Sequence, residues 1–492
     1  MNTTLRLNAV DIRKADIGTL VIPVCEDSAI HTDRSVAALV RKAKDFDEFT
    51  GKSGDRLSLY DPPRMKLRRL VFIGLGKLEG INSEALRSFG GKAVRLATKR
   101  GSSQVWLAAP SGRKLGIETE PLLAAVLEGA YLGNHRFNRY KEDKTEKPVK
   151  TVHLIVSDAD AKSFRRLPKR VSAICRGTLL ARDWVSTPSN DKSPREFARS
   201  IQEYAENAGL NVRLMNATEM RRRKFGALLA VAAGSHNPPV MPILEYRPKK
   251  PKQTVALVGK GVTFDSGGLN LKPTGSLEDM KMDMAGAAAV AGALIAAAET
   301  KPNVRLIGAV PLVENMVSGA AFRPGDIVRS YTGKTVEVGN TDAEGRLILI
   351  DALAYVIKQY KPDVLIDMAT LTGACLIALG EHIAGVFSPD DELADGILRA
   401  GESTHERCWR LPLPEDYKEK LKSDFADLRN IGKSRWGGAI LAALFLSDFV
   451  DNTRWAHIDI AGPAYAKKAT AYCEAGGTGF GVRLVSDLLD RL

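Results

Sequence analysis

Asn340-Thr341-Asp342-Ala343-Glu344-Gly345-Arg346-Leu347 (NTDAEGRL) puts two carboxylates and an arginine between a strand-like run, 336–339, and a helix-like run, 347–360. In an open α/β sheet, ligands collect where strands end and helices begin. That makes this octapeptide the place to look for chemistry, and an α/β fold the framework that would put it to use.

Two stretches upstream have the same character. Residues 254–258 read as a buried strand and run into VGKGVTFDSGG at 258–268, where Lys260 and Asp265 sit among glycines. Glycine lets the backbone come close to a ligand. At 280–284 the chain reads MKMDM, with the lone carboxylate of Asp283 just before a helix-like Ala-rich run, 285–300. Further strands are expected at 304–310, 364–368 and 455–460, and a further helix at 439–449.

Each motif alone has an ordinary reading. Asp283 suits a helix cap. Asp342 and Glu344 suit the positive end of the helix behind them. Arg346 suits a structural ion pair with Asp351 or Glu344, and Lys260 and Lys272 suit surface loops. The ordinary reading weakens when the motifs are taken together. Asp265, Asp283, Asp342 and Glu344 converging at one sheet edge cannot all stay ionised in a dry cleft without compensating charge. Two divalent cations supply it. None of the seven histidines falls in these motifs and there is no HExxH, so a histidine-based zinc site is not expected.

Outward from this centre the chain is expected to form two lobes. The first, 1–160, alternates strand-like runs (20–24, 70–73, 105–108, 152–156) with helix-like runs (83–99, 118–132), and 141–150 reads as an exposed charged loop. A helical stretch near 161–187 is expected to link it to a larger catalytic lobe, 188–492, whose first helix spans 193–208. The 492 residues and 44% apolar content support two sizeable cores.

The five cysteines are scattered and never spaced as CxxC, which suits a reducing compartment. Charged residues break up the first twenty positions, and the apolar run 285–298 is too short to span a bilayer, so a soluble cytoplasmic protein is expected. The net charge is +13, with clusters at Arg165-Arg166, Arg221-Arg222-Arg223-Lys224 and Lys249-Lys250. Solvated surface is the simpler reading, and no nucleic-acid-binding signature accompanies the charge. Nucleic acid still stays open as a partner, and so does a two-metal phosphoesterase as an alternative enzyme class.

The octapeptide 340–347 resembles the signature of the leucyl aminopeptidases, the cytosol aminopeptidases of peptidase family M17. Residues 258–268, LKP at 271–273 and MKMDM at 280–284 resemble the family's preceding blocks in order. ARDWVSTPSNDKSP (181–194), ATLTGA (369–374), RWGGAILAAL (435–444) and WAHIDIAG (455–462) extend the likeness over most of 181–492. The first lobe resembles the family only in layout, a smaller α/β domain of macro-like type beside a larger catalytic α/β domain with a mixed central sheet.

The resemblance implies an enzyme that removes amino acids, leucine and other apolar residues above all, from peptide N-termini. It implies two divalent cations, Mn²⁺ or Zn²⁺. Lys260, Asp265, Asp283 and Glu344 would hold the tighter one, and Asp265, Asp342 and Glu344 the more exchangeable one. Lys272 and Arg346 would be catalytic, with bicarbonate held at Arg346. Met280, Asn340, Thr370, Leu371, Gly373 and Ala461 would bind substrate, and a homohexamer is implied. Asn270, Met282 and Ala285 depart from the family's pattern, and the Ala285 methyl is expected to crowd the metal loop slightly.

Overall fold

A computed structural model describes residues 3–63, 65–142 and 147–492. Part of the charged loop expected at 141–150 therefore lies outside the described residues. The chain divides into two compact units. The first holds 1–175 with 468–475, the second 176–467 with 476–492, and the division falls inside the helix Leu167–Ser186. The helical stretch expected from 161 is two helices: Asp158–Ser163 ends before Leu167–Ser186 begins.

The first unit is built on a six-stranded sheet. Its order is Thr4–Asn8, Thr151–Ile155, Gln104–Ala108, Ile17–Cys25, Leu67–Gly76 and Arg56–Tyr60. All neighbours are parallel except the last pair. Thr4–Asn8 and Arg56–Tyr60 lie at the two edges and alternate buried with exposed positions only weakly, so their sequence signal is faint. The helices Ser83–Thr98 and Thr119–Gly133 fall where the apolar periodicity puts them.

The second unit carries a ten-stranded mixed sheet. Its centre is Arg305–Ala309, Thr254–Gly259, Val364–Ala369 and Arg454–Asp459, mutually parallel and buried on both faces. The twofold alternation of strand side chains divides the interior into two cores. Val255, Leu257 and Ile366 pack under the helix Ala285–Thr300 on one face. Ala256, Val258, Leu365 and Trp455 pack with Leu349, Leu353 and Val356 of the helix Gly345–Tyr360 on the other. The expected strand near 336–339 is Thr335–Glu337, and it belongs to a separate three-stranded sheet.

The helix Ala285–Thr300 is buried from Ala285 through Ala297. The run Thr274–Thr300, which adds two short turns to this 16-residue helix, is long and apolar enough to cross a membrane by length and composition alone. Of its apolar window, 83% is buried inside the protein, the mark of a core helix. Small residues seat it. A Cβ at Gly286 would lie 2.0 Å from the Met368 carbonyl oxygen and 2.9 Å from Lys260 N. The close approach is thus made at Gly286, beside Ala285.

Parallel register brings the chemistry to one edge. Lys260, Thr370 and Ala461 all follow the C-terminal ends of adjacent parallel strands. Lys260 N–H donates to Met368 O at 3.0 Å and Ile460 N–H to Ala369 O at 2.8 Å, which fixes the three exits side by side.

Gly286→Ala should destabilise the fold by about 3 kcal/mol, because backbone on the facing strand cannot yield to the new methyl. Gly275→Ala, where a Cβ meets nothing within 4 Å, should change stability by under about 0.5 kcal/mol. Denaturant midpoints check both.

Candidate functional site

The strand Thr254–Gly259 stops at Lys260 and the chain resumes as Gly261–Asp265, paired parallel with Leu312–Asn315 through an irregular register that ends on Asp265. Asp283 follows a short 3-10 turn, Met280–Met282, and precedes the core helix. Glu344 stands at the start of the helix Gly345–Tyr360. A Cβ on Gly345 would lie 2.6 Å from Lys260 Cε and 2.8 Å from Nζ. Glycine at this point in NTDAEGRL is what lets the lysine pass.

The five expected ligands meet. One carboxylate oxygen from each of Asp265, Asp342 and Glu344 lies within 4.8 Å of the other two. Lys260 Nζ lies 2.8 Å from Asp283 Oδ1 and 2.9 Å from Glu344 Oε1, and donates to Thr370 O at 2.9 Å. Lys260, Asp265, Asp283 and Glu344 are all buried, and Asp342 is half-buried.

Lys272 Nζ lies 2.8 Å from Asp265 Oδ2 and 2.5 Å from Asp342 Oδ1. The lysine expected to act on substrate is here an ion-pair partner of two expected ligands. The reason is electrostatic, since these carboxylates attract the nearest ammonium.

The balance of charge is uneven. Like charges about 5 Å apart repel by about 3 kcal/mol at an effective dielectric of 20. Three such pairs approach the whole stability of a domain, about 5–15 kcal/mol. Burial, then repulsion from Asp265, pushes Glu344 well above the ordinary carboxylate range. Burial does the same to Asp283, against the pull of Lys260, and burial raises Asp342 too. Burial opposes the charge on Lys260, but Asp283, Glu344 and Asp265 outweigh it and hold its proton more tightly than in an ordinary lysine. Lys272 behaves alike, led by Asp265.

The residues present fit divalent metal. The donor set is oxygen-rich. Asp283 Oδ2 is buried with no hydrogen-bond partner among the described residues, and Asp342 Oδ1 and Glu344 Oε1 meet their lysines without well-directed hydrogen bonds. A buried acceptor left in this condition is costly unless a cation takes it.

Arg346, in the first turn of its helix, is buried, and burial lowers its guanidinium to about 10. Nη1 donates to Asn430 O at 2.7 Å, and Nε has no partner among the described residues. Asp351 does not pair with it. That carboxylate accepts from Leu228 N at 2.9 Å and Tyr331 N at 2.7 Å.

Of the residues expected to bind substrate, Thr370 faces the charged cluster: its hydroxyl donates to Asp283 Oδ1 at 2.7 Å. Asn340 Oδ1 accepts from Asp342 N at 2.7 Å, which shapes the acidic turn. Leu371 N and Ala461 N both donate to Asp459 Oδ1 at 3.1 Å. Gly373 opens the helix Gly373–Leu379, and a Cβ there would meet nothing within 4 Å. Met280 begins the turn before Asp283 and is partly exposed. Asn270, one of the departures, links two loops: its N–H donates to Thr341 Oγ1 and its side chain accepts from Thr341 N, both at 2.9 Å.

Three supporting residues carry no signal in the sequence patterns. Asn315 donates to Asp265 Oδ1 at 2.9 Å and to Thr341 O at 3.0 Å. Asn430 accepts from Gly339 N at 2.7 Å and donates to Asn340 O at 2.8 Å. Asp459 also accepts from Thr372 Oγ1 at 2.7 Å and so ties the loop 370–373 to Ala461. Only Asp459 stands inside a block quoted above, WAHIDIAG.

Residues 179–486 match the model of the cytosol aminopeptidase family catalytic domain, and residues 23–144 match that of the family's N-terminal domain. A probable cytosol aminopeptidase of Syntrophotalea carbinolica is 43% identical over 464 residues, 93% of each chain. One from Geobacter sp. strain M21 is 43% identical over 463 residues, again 93% of each. A variant of tomato leucine aminopeptidase superposes with TM-score 0.88 at 33% identity, covering 100% of this chain and 97% of its own. The bottromycin maturation enzyme BotP, in complex with Mn, gives TM-score 0.85 at 34% identity, covering 96% and 99%. These likenesses favour the peptidase reading over nucleic-acid binding. The chain belongs to the cytosol aminopeptidase family, M17, and is a metal-dependent aminopeptidase.

Proposed function

We propose that the chain releases N-terminal leucine and other apolar amino acids from peptides at a two-metal centre. The observation that carries this reading is the meeting of Asp265, Asp342 and Glu344 within 4.8 Å, with Asp283 joined to them through Lys260. Lys260, Asp265, Asp283 and Glu344 would hold one divalent cation, Mn²⁺ or Zn²⁺. Asp265, Asp342 and Glu344 would hold the other. Bound there, such cations supply Lewis acidity and lower the pKa of water toward neutrality.

The chain's own groups do the rest. Lys260 must give up a proton to become a ligand, and the carboxylates around it set the cost. With those carboxylates engaged by metal, the Lys272 ammonium is free to stabilise negative charge on the substrate carbonyl oxygen. Arg346, beside a helix N-terminus and with Nε unengaged among the described residues, suits a small oxyanion such as bicarbonate, which would carry the proton. Met280, Thr370, Gly373 and Ala461 would line an apolar pocket for the side chain of the N-terminal residue, with Asn340 and Leu371 also binding substrate. A homohexamer in the cytoplasm, as the family resemblance implies, belongs to the same proposal.

The direct test is hydrolysis of leucine p-nitroanilide, lost to chelator and restored by Mn²⁺. Activity confined to phosphate esters, or unaffected by blocking the α-amine, would defeat the reading. Lys272→Ala should retain metal and lose about 10²–10³-fold in kcat, while Glu344→Ala should lose metal and activity together. Elemental analysis beside steady-state kinetics separates the two.

The pH dependence follows from the raised carboxylates. Glu344 and Asp283 keep protons in the folded, metal-free chain that they release on unfolding, so they subtract stability as pH rises above the ordinary carboxylate range. Metal needs them ionised. The rise in melting temperature caused by Mn²⁺ should therefore be larger at about pH 8 than at about pH 6. An increment that shrinks with pH would contradict the assignment.

A further inference from the structure

Lys192 lies in the segment between the helices Leu167–Ser186 and Pro194–Asn207, and its side chain is buried. Its Nζ donates to Trp184 O at 2.7 Å and Lys281 O at 2.8 Å, and lies 3.3 Å from Met284 Sδ. Lys281 and Met284 flank Asp283. Among the described residues no carboxylate pairs with the amine, and burial, helped by Lys281, pushes its pKa well below that of an ordinary lysine. An apolar side chain of similar volume would fill this space without the cost of desolvating an amine. What the amine adds is a tie between the end of one helix and the loop that carries Asp283.

The same segment reaches the other side of the centre. Ser189 Oγ donates to Thr263 O at 2.7 Å, two residues before Asp265. The segment is held in turn by a capping box. Ser193 N donates to Glu196 Oε2 at 3.0 Å and Glu196 N to Ser193 Oγ at 3.4 Å, with Pro194 in the first turn. It thus has a fixed anchor and two contacts, one on the strand that ends at Asp265 and one on the loop that carries Asp283.

We propose that Lys192 is a positioning residue for the metal centre, holding the 281–284 loop so that Asp283 meets Lys260. The inference rests on the metal-centre reading above. Groups that orient a metal ligand from behind typically change metal affinity or activity by about 10–100-fold when removed.

The test is Mn²⁺ titration of the full chain by calorimetry, with wild type, Lys192→Met, Asp283→Ala and the double variant. Lys192→Met should raise the dissociation constant of one site by about 10–100-fold, with kcat largely recovered at saturating Mn²⁺. Its melting temperature in chelator should not fall below wild type. In the Asp283→Ala background the same substitution should add little, because the ligand it serves is gone. Unchanged Mn²⁺ affinity, or an equal loss in both backgrounds, would overturn the proposal. If Lys192→Met does not fold, Lys192→Gln serves, since its amide can donate to one carbonyl; it should show the same loss to a smaller degree, and full wild-type affinity would overturn the proposal. A wild-type chain that binds no Mn²⁺ would defeat the metal-centre reading itself, before any variant is compared.

Discussion

Four carboxylates gathered at one sheet edge must be met by positive charge, and the second unit is organised around that demand. Lys260 and Lys272 reach in from two loops and each touches two of the acids. Two ammonium groups cannot neutralise four carboxylates, and the raised pKa values of Asp283, Asp342 and Glu344 express what is left over. Divalent metal would answer the imbalance, and on the reading proposed above two such cations would supply the electrophile that peptide-bond hydrolysis needs.

The fold's contribution is to make the convergence unavoidable. Parallel strands in register deliver Lys260, Thr370 and Ala461 to the same edge. The Ala-rich core helix approaches that edge closely through Gly286, so Asp283 at its foot has little room to wander. Gly345 performs a similar service for the lysine side chain. Neutral groups then fix the acids individually: Asn315 holds Asp265, the Thr370 hydroxyl holds Asp283, and Asn340 turns Asp342. None of these contacts adds charge, so the shortage of cations is preserved rather than relieved.

Much of this was legible in the sequence because it rests on local pattern. Buried strands and amphipathic or apolar helices announced themselves by periodicity, and the acids announced themselves by standing where strand gives way to helix. The unread parts depend on distance in the chain. Asn315 and Asn430 act through hydrogen bonds to residues 26–91 positions away, and an isolated asparagine has no pattern. The attachment of 468–475 to the first unit is also long-range: Arg95 Nη1 donates to Thr470 O across 375 positions. The pairing of Lys272 with Asp265 and Asp342 was missed for another reason. The resemblance implies a role in the reaction for that lysine, and its ion pairs depend separately on which acids the fold brings nearest to it.

On the proposed reading, Lys260, Asp265, Asp283, Asp342 and Glu344 together hold two divalent cations. Anomalous diffraction at the manganese edge, from crystals grown with Mn²⁺, addresses it without reference to activity. Two strong peaks are expected inside the pocket these five side chains line, with the carboxylates of Asp265 and Glu344 between them. No peak there, or peaks only at exposed acids elsewhere on the surface, would contradict it.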